Sequence, residues 1–514
     1  MWRFETESAE AVKTWLSGPA SGLGAVLDLV GSEQGQDLYA DTQDRFFERS
    51  GYALRLRRSE ERLVAGLEPV RAGLLAFADV EVASEAVGDL ARASEPLGER
   101  VRAVAGPRRL RAVAHARTRR EAFRLRLEGR PCATVEIEEI DARRTAGGSS
   151  TLFARVVISA TEQGDPALSS FVVVMESACG LSPADRTVGE AVLRRLGVAA
   201  PPPFVPGATA VPSHAPTGAL AYAVIRRHLG AFLRNEPGTR LGADPEVLHD
   251  MRVASRRLRA AFALFAEALP ARAPSLRRRL GRIGRALGEV RDLDVQAEQL
   301  GEFLNEGPVA ERLALEAYLA AVAVQRDGAR RRMLRVLDSR GYGRLVESLM
   351  AFVEREPRRR PPAARLPALA SAPDRILSRH RRSRRIGDRL APDSPAADWH
   401  KLRIELKRLR YAIEFHGELY GEKARRVIET LTGLQDLLGL HQDAQVAMAH
   451  LEDVCGARGK RLPRGAGFVM GRIAQRYAQR AEDLRRAFPK LYRRAFGKRW
   501  RSLRDAMESS RPRA

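Results

Sequence analysis

Two periodicities divide the chain. Up to about residue 196, charged and apolar positions alternate in short runs: FETES at 4–8, LRLRR at 54–58, RTRRE at 117–121, FRLRLEG at 123–129 and TVEIEEID at 134–141. Glu5 and Glu7 share one face, as do Arg55 and Arg57, Arg117 and Arg119, Arg124 and Arg126, and Glu136 and Glu138. Leu54, Leu56, Leu125, Val135 and Ile137 take the opposite face. Such alternation predicts an antiparallel sheet with one wet face or, if the sheet closes, a barrel whose lumen is charged. Residues 197–216, GVAAPPPFVPGATAVPSHAP, break the pattern and predict a semi-rigid linker. From 217 the apolar positions recur at helical spacing, interrupted by a second Pro-rich stretch at 355–373. Helical segments are expected at 220–235, from Pro245 with Asp244 as N-cap to a stop at Pro270, over 275–300 and 309–354, and then at 374–391, 396–420, 422–452 and 466–508.

The segment Leu248–Leu269 carries two stripes. His249, Arg252, Arg256 and Arg259 fall on one, and Met251, Leu258, Phe262, Phe265 and Leu269 on another, roughly 120–130° around the helix. The first stripe then recurs 151 residues later as His400, Arg403, Lys407 and Arg410. The offset holds without a gap through Leu280/Leu431, Gly288/Gly439, Asp292/Asp443 and Val295/Val446, with about a dozen of roughly 48 aligned positions identical. A single basic stripe is an ordinary solvated face; its recurrence at one offset implies two related helical halves and a shared purpose.

Charge sharpens the division. Residues 1–200 hold 27 Lys and Arg against 29 Asp and Glu, a net of −2, so the rest of the chain carries +26, more than the whole net charge of +24. A polyanion, if one is bound, belongs to the helical part. DNA or RNA would suit the charge, but aromatic residues are 6% of the chain and none interleaves with the stripes as a stacking platform would, so nucleic acid is the weaker expectation. No P-loop and no H-E-x-x-H occurs. No run of about 18 uncharged apolar residues occurs, and the start MWRFETESAE lacks a signal-peptide core, so a cytoplasmic protein without membrane spans is expected. Cys132, Cys179 and Cys455 are scattered and are expected to be reduced, buried thiols. Arg257 and Arg408, off the stripe, are expected to be struts to Asp292, Asp443 or Asp294. The Arg375–Arg385 run could extend the groove but is more simply a solvated face.

Two resemblances follow from these residues. LYADTQDRFFERSGYALRLRRSEERLVAGLEPV, 38–70, resembles the early core of a CYTH domain, the triphosphate-tunnel fold, through Tyr39, Asp41, Thr42, Leu54, Arg55 and Arg57; Glu5 and Glu7 match the start of that family's E-x-E-x-K motif. The resemblance implies glutamates that hold Mg²⁺ or Mn²⁺ and a lumen of cations that clamps a triphosphate. Its site would be Glu5, Glu7, Arg55, Arg57, Glu136 and Glu138, with Glu5 and Glu7 as metal ligands. The chain departs from the family at Ala9 and Glu68, where lysines are expected, and at Arg155, Val156 and Ile158, where carboxylates are expected, so catalysis is expected to be lost and no cofactor to be required. HDMRVASRRLR followed by LGEVRDLDV, and HKLRIELKRLRY followed by GLHQDA, resemble the paired signatures of a CHAD domain. That family binds inorganic polyphosphate, and some members associate with polyphosphate granules. The resemblance implies that His249, Arg252, Arg256, Arg259, His400, Arg403, Lys407 and Arg410 contact the phosphate chain, while a triphosphatase in the N-terminal part is the alternative function. The expected fold is an N-terminal α+β antiparallel β-barrel of triphosphate-tunnel type over 1–196, the linker, and an all-α domain over 217–510. The latter is expected to be two pseudo-symmetric four-helix bundles, about 217–355 and 372–510.

Overall fold

A computed structural model describes residues 1–18, 25–59, 62–70, 74–162, 164–200, 205–306, 309–354, 361–458 and 466–512. It divides into two compact units, Met1–Pro202 with Glu236–Asp244, and Pro203–Asn235 with Pro245–Ala514. Residues 201–204 of the expected linker and 355–360 of the second Pro-rich stretch lie outside the described residues. Residues 205–216 belong to the helical unit, where Val205 and Val211 pack against its core.

The first unit runs β1 (Trp2–Thr6), α1 (Ala9–Ser17), β2 (Val26–Thr42), α2 (Phe46–Arg49), β3 (Tyr52–Arg58), β4 (Leu63–Pro69), β5 (Val80–Glu81), α3 (Leu97–Ala105), β6 (Leu110–Leu127), β7 (Arg130–Arg144), β8 (Ser150–Ala160), α4 (Pro166–Ala178), β9 (Ser182–Pro183) and α5 (Val188–Arg195). The strands form one antiparallel sheet in the order β5-β4-β3-β2-β6-β7-β8-β1-β9. The β6–β7 hairpin turns on Glu128 (φ 49°) and Gly129 (φ 79°), the paired positive φ of a type I′ turn. Strands β3 and β7 are three places apart, about 14 Å in a flat sheet. Yet Arg57 of β3 lies 3.9 Å from Glu138 of β7, so the sheet curls into the expected barrel-like form. Alternation assigns the faces as expected. Phe4, Leu125, Val135, Ile137 and Val156 pack outward under α1 and α4, and Leu54, Leu56 and Leu67 under α2 and α3. Inside, α5 closes part of the lumen with Ala191, Val192 and Leu193 against Tyr39, Ala114, Ile140 and Phe153. Cys132 is buried as expected, but Cys179 is only half buried because it follows the last turn of α4; the side chain of Cys455 lies outside the described residues.

The second unit is helical: α6 (Thr217–Leu241), whose end clusters with the first unit, α7 (Pro245–Leu264), α8 (Ala273–Glu306), α9 (Val309–Asp338), α10 (Arg340–Glu354), the single turn α11 (Pro362–Arg365), α12 (Ala368–Gly387), α13 (Ala396–Phe415), α14 (Gly417–Arg458), α15 (Ala466–Ala495) and α16 (Lys498–Ser509). Both ends of α7 and α13, and the starts of α6 and α12, differ by the 151-residue offset. Each half therefore has four long helices among the described residues, the fourth interrupted between α9 and α10 and between α15 and α16. Helix α7 stops at Leu264, short of Pro270, and a 3-10 turn at Ala266–Ala268 fills the gap. The expected 396–420 helix likewise stops at Phe415, and Gly421 kinks the next one with a φ of 50°. Each half has its own core, one around Met251, Leu258, Phe262 and Leu287, the other around Leu402, Leu409, Leu431 and Leu438. A third cluster joins Leu300, Tyr318 and Val322 of the first half to Leu451, Ile473 and Tyr477 of the second. The symmetry is also written in the backbone: Thr217 N donates to Leu366 O at 2.8 Å and Ala368 N to Ala215 O at 2.9 Å, around a bridge between Pro216 and its equivalent Pro367.

Candidate functional site

The basic stripes are placed by the apolar ones. Burial of Leu248, Met251, Leu258 and Phe262 fixes the rotation of α7, and burial of Trp399, Leu402, Leu406 and Leu409 fixes that of α13. The cations then lie across glycines on the next helix. A β-carbon on Gly288 would stand 3.7 Å from Arg252 Nε, and one on Gly281 3.7 Å from Arg259 Nε; one on Gly439 would stand 3.6 Å from Arg403 Nη2. Each interior helical glycine costs about 1 kcal/mol relative to alanine. That cost is the signal in the sequence for these seats, and only the Gly288/Gly439 pair carries it in both halves. In the second half Thr432 replaces Gly281 and accepts a hydrogen bond from Arg410 Nη1 at 3.3 Å.

The two stripes meet. Lys407 is held down to about 7 by burial and then by the charges of Arg403, Arg256 and Arg252, two of them from the other half. Burial lowers Arg403 as well; Asp443 opposes the shift while Arg256 and Arg252 add to it. Arg252, Arg256, Arg403 and Lys407 thus share one electrostatic field. Its counter-charges are weak. Asp292 reaches Arg252 only at 3.5 Å and is 70% exposed, and the Asp443 carboxyl is pushed up by burial. The Nε atoms of Arg256 and Arg403 are buried without a hydrogen-bond partner. Such unpaired guanidinium donors are poised for an added anion.

The remaining stripe residues sit at the margins. Burial and Arg291 lower the His249 pKa, so the neutral ring is favoured, and its Nδ1 is buried without a partner. His400 Nδ1 meets Gln442 Oε1 at 2.8 Å. Arg410 is 3.5 Å from Glu414. The expected struts are re-paired: Arg257 bridges to Glu414 at 3.3 Å, Arg408 pairs along its own helix with Glu405, and Asp294 is taken by Arg326. A one-residue step from the stripe turns Arg257 toward α13 rather than α8. In the Arg375–Arg385 run, Arg384 pairs with Asp388 at 3.0 Å and His380 stacks on Trp500 at 4.0 Å, whereas Arg381, Arg382 and Arg385 are exposed.

The N-terminal lumen is different in kind. The cations among its expected site residues are already spent on carboxylates. Arg57 donates twice to Asp37, at 2.8 and 2.7 Å, and also lies near Glu138. Arg55 pairs with Asp79 at 2.8 Å and lies 3.8 Å from Glu68; Arg120 pairs with Glu136 at 2.6 Å. Arg155, where the resemblance expects a carboxylate, holds Glu5 at 2.6 Å, and Arg195 reaches both Glu5, at 3.4 Å, and Glu7, at 2.8 Å. Glu7 lies beyond the end of β1 and is 75% exposed. Burial pushes the Glu68 and Glu138 carboxyls up, toward the neutral form. A divalent ion here would have to displace guanidiniums from their carboxylates, and among the described residues no three His, Cys, Asp or Glu side chains are grouped to hold one. This donor set does not fit Mg²⁺ or Mn²⁺.

Residues 223–452 match the family model of the CHAD domain. The helical unit therefore carries a CHAD domain. Similar solved structures include a CHAD domain from the plant Ricinus communis, 28% identical, covering 60% of this chain and 96% of that one with a TM-score of 0.46. PptA from Streptomyces chartreusis is 21% identical, covering 54% of this chain and 100% of that one, TM-score 0.43. An adenylyl cyclase-named protein from Hippeastrum, described by a dominant triphosphatase activity, is 16% identical, covering 38% of this chain and 94% of that one, TM-score 0.26. No curated protein matched the chain. No helix among the described residues is long and apolar enough to cross a membrane.

Proposed function

We propose that the helical unit binds inorganic polyphosphate in the groove between α7 and α13, with Arg252, Arg256, Arg403 and Lys407 along its length and His249 and His400 near its ends. The observation that carries this reading is the convergence of cations from both halves with too little carboxylate to neutralise them. A linear phosphate chain offers charge and no bases, and it needs cations repeated along a path. A helical stripe supplies one about every 5–6 Å, and Arg supplies paired donors to phosphate oxygens. Tyr411, whose ring lies 5.8 Å from Arg256 and 5.7 Å from Arg410, is buried, so it offers no stacking face to a nucleic-acid base. Association with polyphosphate granules would follow from such binding.

The test is titration of the full chain with long polyphosphate and with DNA of equal total charge at matched salt. Polyphosphate is expected to bind more tightly, with affinity falling steeply as salt rises. DNA binding as tight or tighter overturns the reading. The alternative, a metal-dependent triphosphatase in the N-terminal unit, has against it the pairing of Glu5, Glu136 and Glu138 with arginines.

A further inference from the structure

The repeat duplicates the groove but not the charge beside it. Arg277, Arg278, Arg279, Arg282 and Arg285 of α8 correspond, within the ungapped alignment, to Ile428, Glu429, Thr430, Gly433 and Asp436 of α14. Five positive residues in one half thus face three neutral and two acidic ones in the other, and Glu429 is itself taken by Arg499 at 3.4 Å. Along this pair of helices the cationic surface therefore continues out of the groove on α8 and not on α14.

Its course can be followed. At 3.6 residues per turn, Arg285, Arg282 and Arg279 step around α8 from the glycine seat toward α9 and α10. Burial, then Arg277 and Arg285, lower the pKa of Arg259 on that seat, which ties the start of the belt to the groove. The belt ends at a cavity of about 480 Å³ between α8, α9 and α10, where Arg279, Arg282, Arg332 and Arg335 surround a floor that includes Tyr342 and Leu345. No acidic side chain lines this cavity. Arg279 is steadied by Ser348 Oγ at 3.2 Å and Gly341 O at 3.5 Å, while Arg332 touches the exposed Glu289 at 3.4 Å. Arg282 and Arg335 are exposed. The buried Tyr342 and Leu345 give the arginine stems an apolar seat and leave the guanidiniums to face an anion.

We propose that this cavity is a second, one-sided phosphate site, which holds the stretch of a long polyphosphate chain that leaves the groove over the first half and turns around α8. The inference rests on the groove reading above and adds to it a direction and a preference for chain length. From Gly288, under Arg252, to Arg279 is nine residues, about 14 Å of helix. A long chain spans that distance and engages both sites, the second intramolecularly; tripolyphosphate occupies one at a time.

The experiment compares the full-length protein with Arg282→Glu/Arg335→Glu, titrated with long-chain polyphosphate and with tripolyphosphate at one salt concentration. Circular dichroism checks the fold, and Arg282→Gln/Arg335→Gln serves as the milder pair if the reversal unfolds. The expected result is a loss of at least about tenfold for the long chain, since linked sites gain 10²–10⁴ in avidity, with tripolyphosphate affinity held. Unchanged long-chain affinity, or an equal loss for both ligands, overturns the second site while leaving the groove standing. Binding of neither ligand by the unsubstituted protein refutes the groove itself, and the second site with it.

Discussion

Reversing the charge at Arg252 and Arg403 is the most direct probe of the groove. These residues are equivalent in the two halves; Arg403 feels the charge of Arg252, and Arg252 that of Asp443 from the other half. Each is largely buried at its head, so a bound phosphate would meet it in a medium less screening than water. A charge-assisted hydrogen bond is worth about 1.5–3 kcal/mol. Losing two therefore costs about 3–6 kcal/mol, or roughly 10²–10⁴ in affinity at 1.4 kcal/mol per tenfold. The carboxylates that replace them add repulsion, so Arg252→Glu/Arg403→Glu belongs at the upper end. Fluorescence anisotropy with end-labelled polyphosphate, at several salt concentrations, reads both the affinity and the salt slope. The slope should shrink by about 0.7 for each cation removed, if the single-strand value holds. Reversal of Arg493 and Arg494, exposed on α15 and lining neither the groove nor the cavity beside α8, is the control and should cost far less. The helices should persist, because Leu258 and Phe262 are untouched and the ion pair of Arg252 with Asp292 is long and partly exposed. Normal binding by the double variant with intact circular dichroism refutes the groove. Unfolding would mean that the two arginines are struts, a result that Arg252→Gln/Arg403→Gln would reproduce.

Lys407 gives the groove a pH signature. Its ammonium is about half protonated near pH 7, so polyphosphate affinity should fall as pH rises above 7, and Lys407→Arg should flatten that profile between pH 7 and 9. The same depression has a stability consequence of defined sign. Between about 7 and the ordinary lysine pKa of 10.5 the unfolded chain binds the extra proton, so the ligand-free protein should gain stability across that window, and Lys407→Met should remove the gain in denaturant titrations at pH 7 and 9. In the N-terminal unit, Glu5→Ala strands the buried Arg155 guanidinium and should destabilise by about 3 kcal/mol, the low end for a broken buried pair because Glu5 is partly exposed; an unchanged Tm refutes the pairing. The unsubstituted protein should release no phosphate from tripolyphosphate with Mg²⁺ or Mn²⁺; release that Glu5→Ala abolishes would restore the triphosphatase alternative. Gly288→Ala should be tolerated and add up to about 1 kcal/mol of helix stability, whereas Gly288→Leu should displace Arg252 and weaken polyphosphate binding by calorimetry.

What the sequence made legible was periodicity, and what it hid was partnership. The 151-residue offset anticipates the limits of α7 and α13 because one apolar stripe sets the rotation of each helix. Alternation in β3 and β7 places Arg57 and Glu138 on the inner face, since strand side chains repeat every two residues. Neither pattern says which residue lies opposite. Arg257 met Glu414 and not Asp292, because the partner of a side chain one step off the stripe depends on how two distant helices cross. Glu5 met Arg155 through the β1–β8 register, and that pairing turns a motif implying metal ligands into a neutral strut. Agreement between the halves is what the proposed groove rests on, because the stripe recurs at equivalent positions of α7 and α13. Disagreement between the halves is informative for the opposite reason. Symmetric packing accounts for what α8 and α14 have in common, but it gives no cause for arginines at 277–285 where the other half carries Glu429 and Asp436. A difference that the shared fold does not require asks for a cause outside the fold, and the proposed second site supplies one, an anion approaching this charged surface from one side.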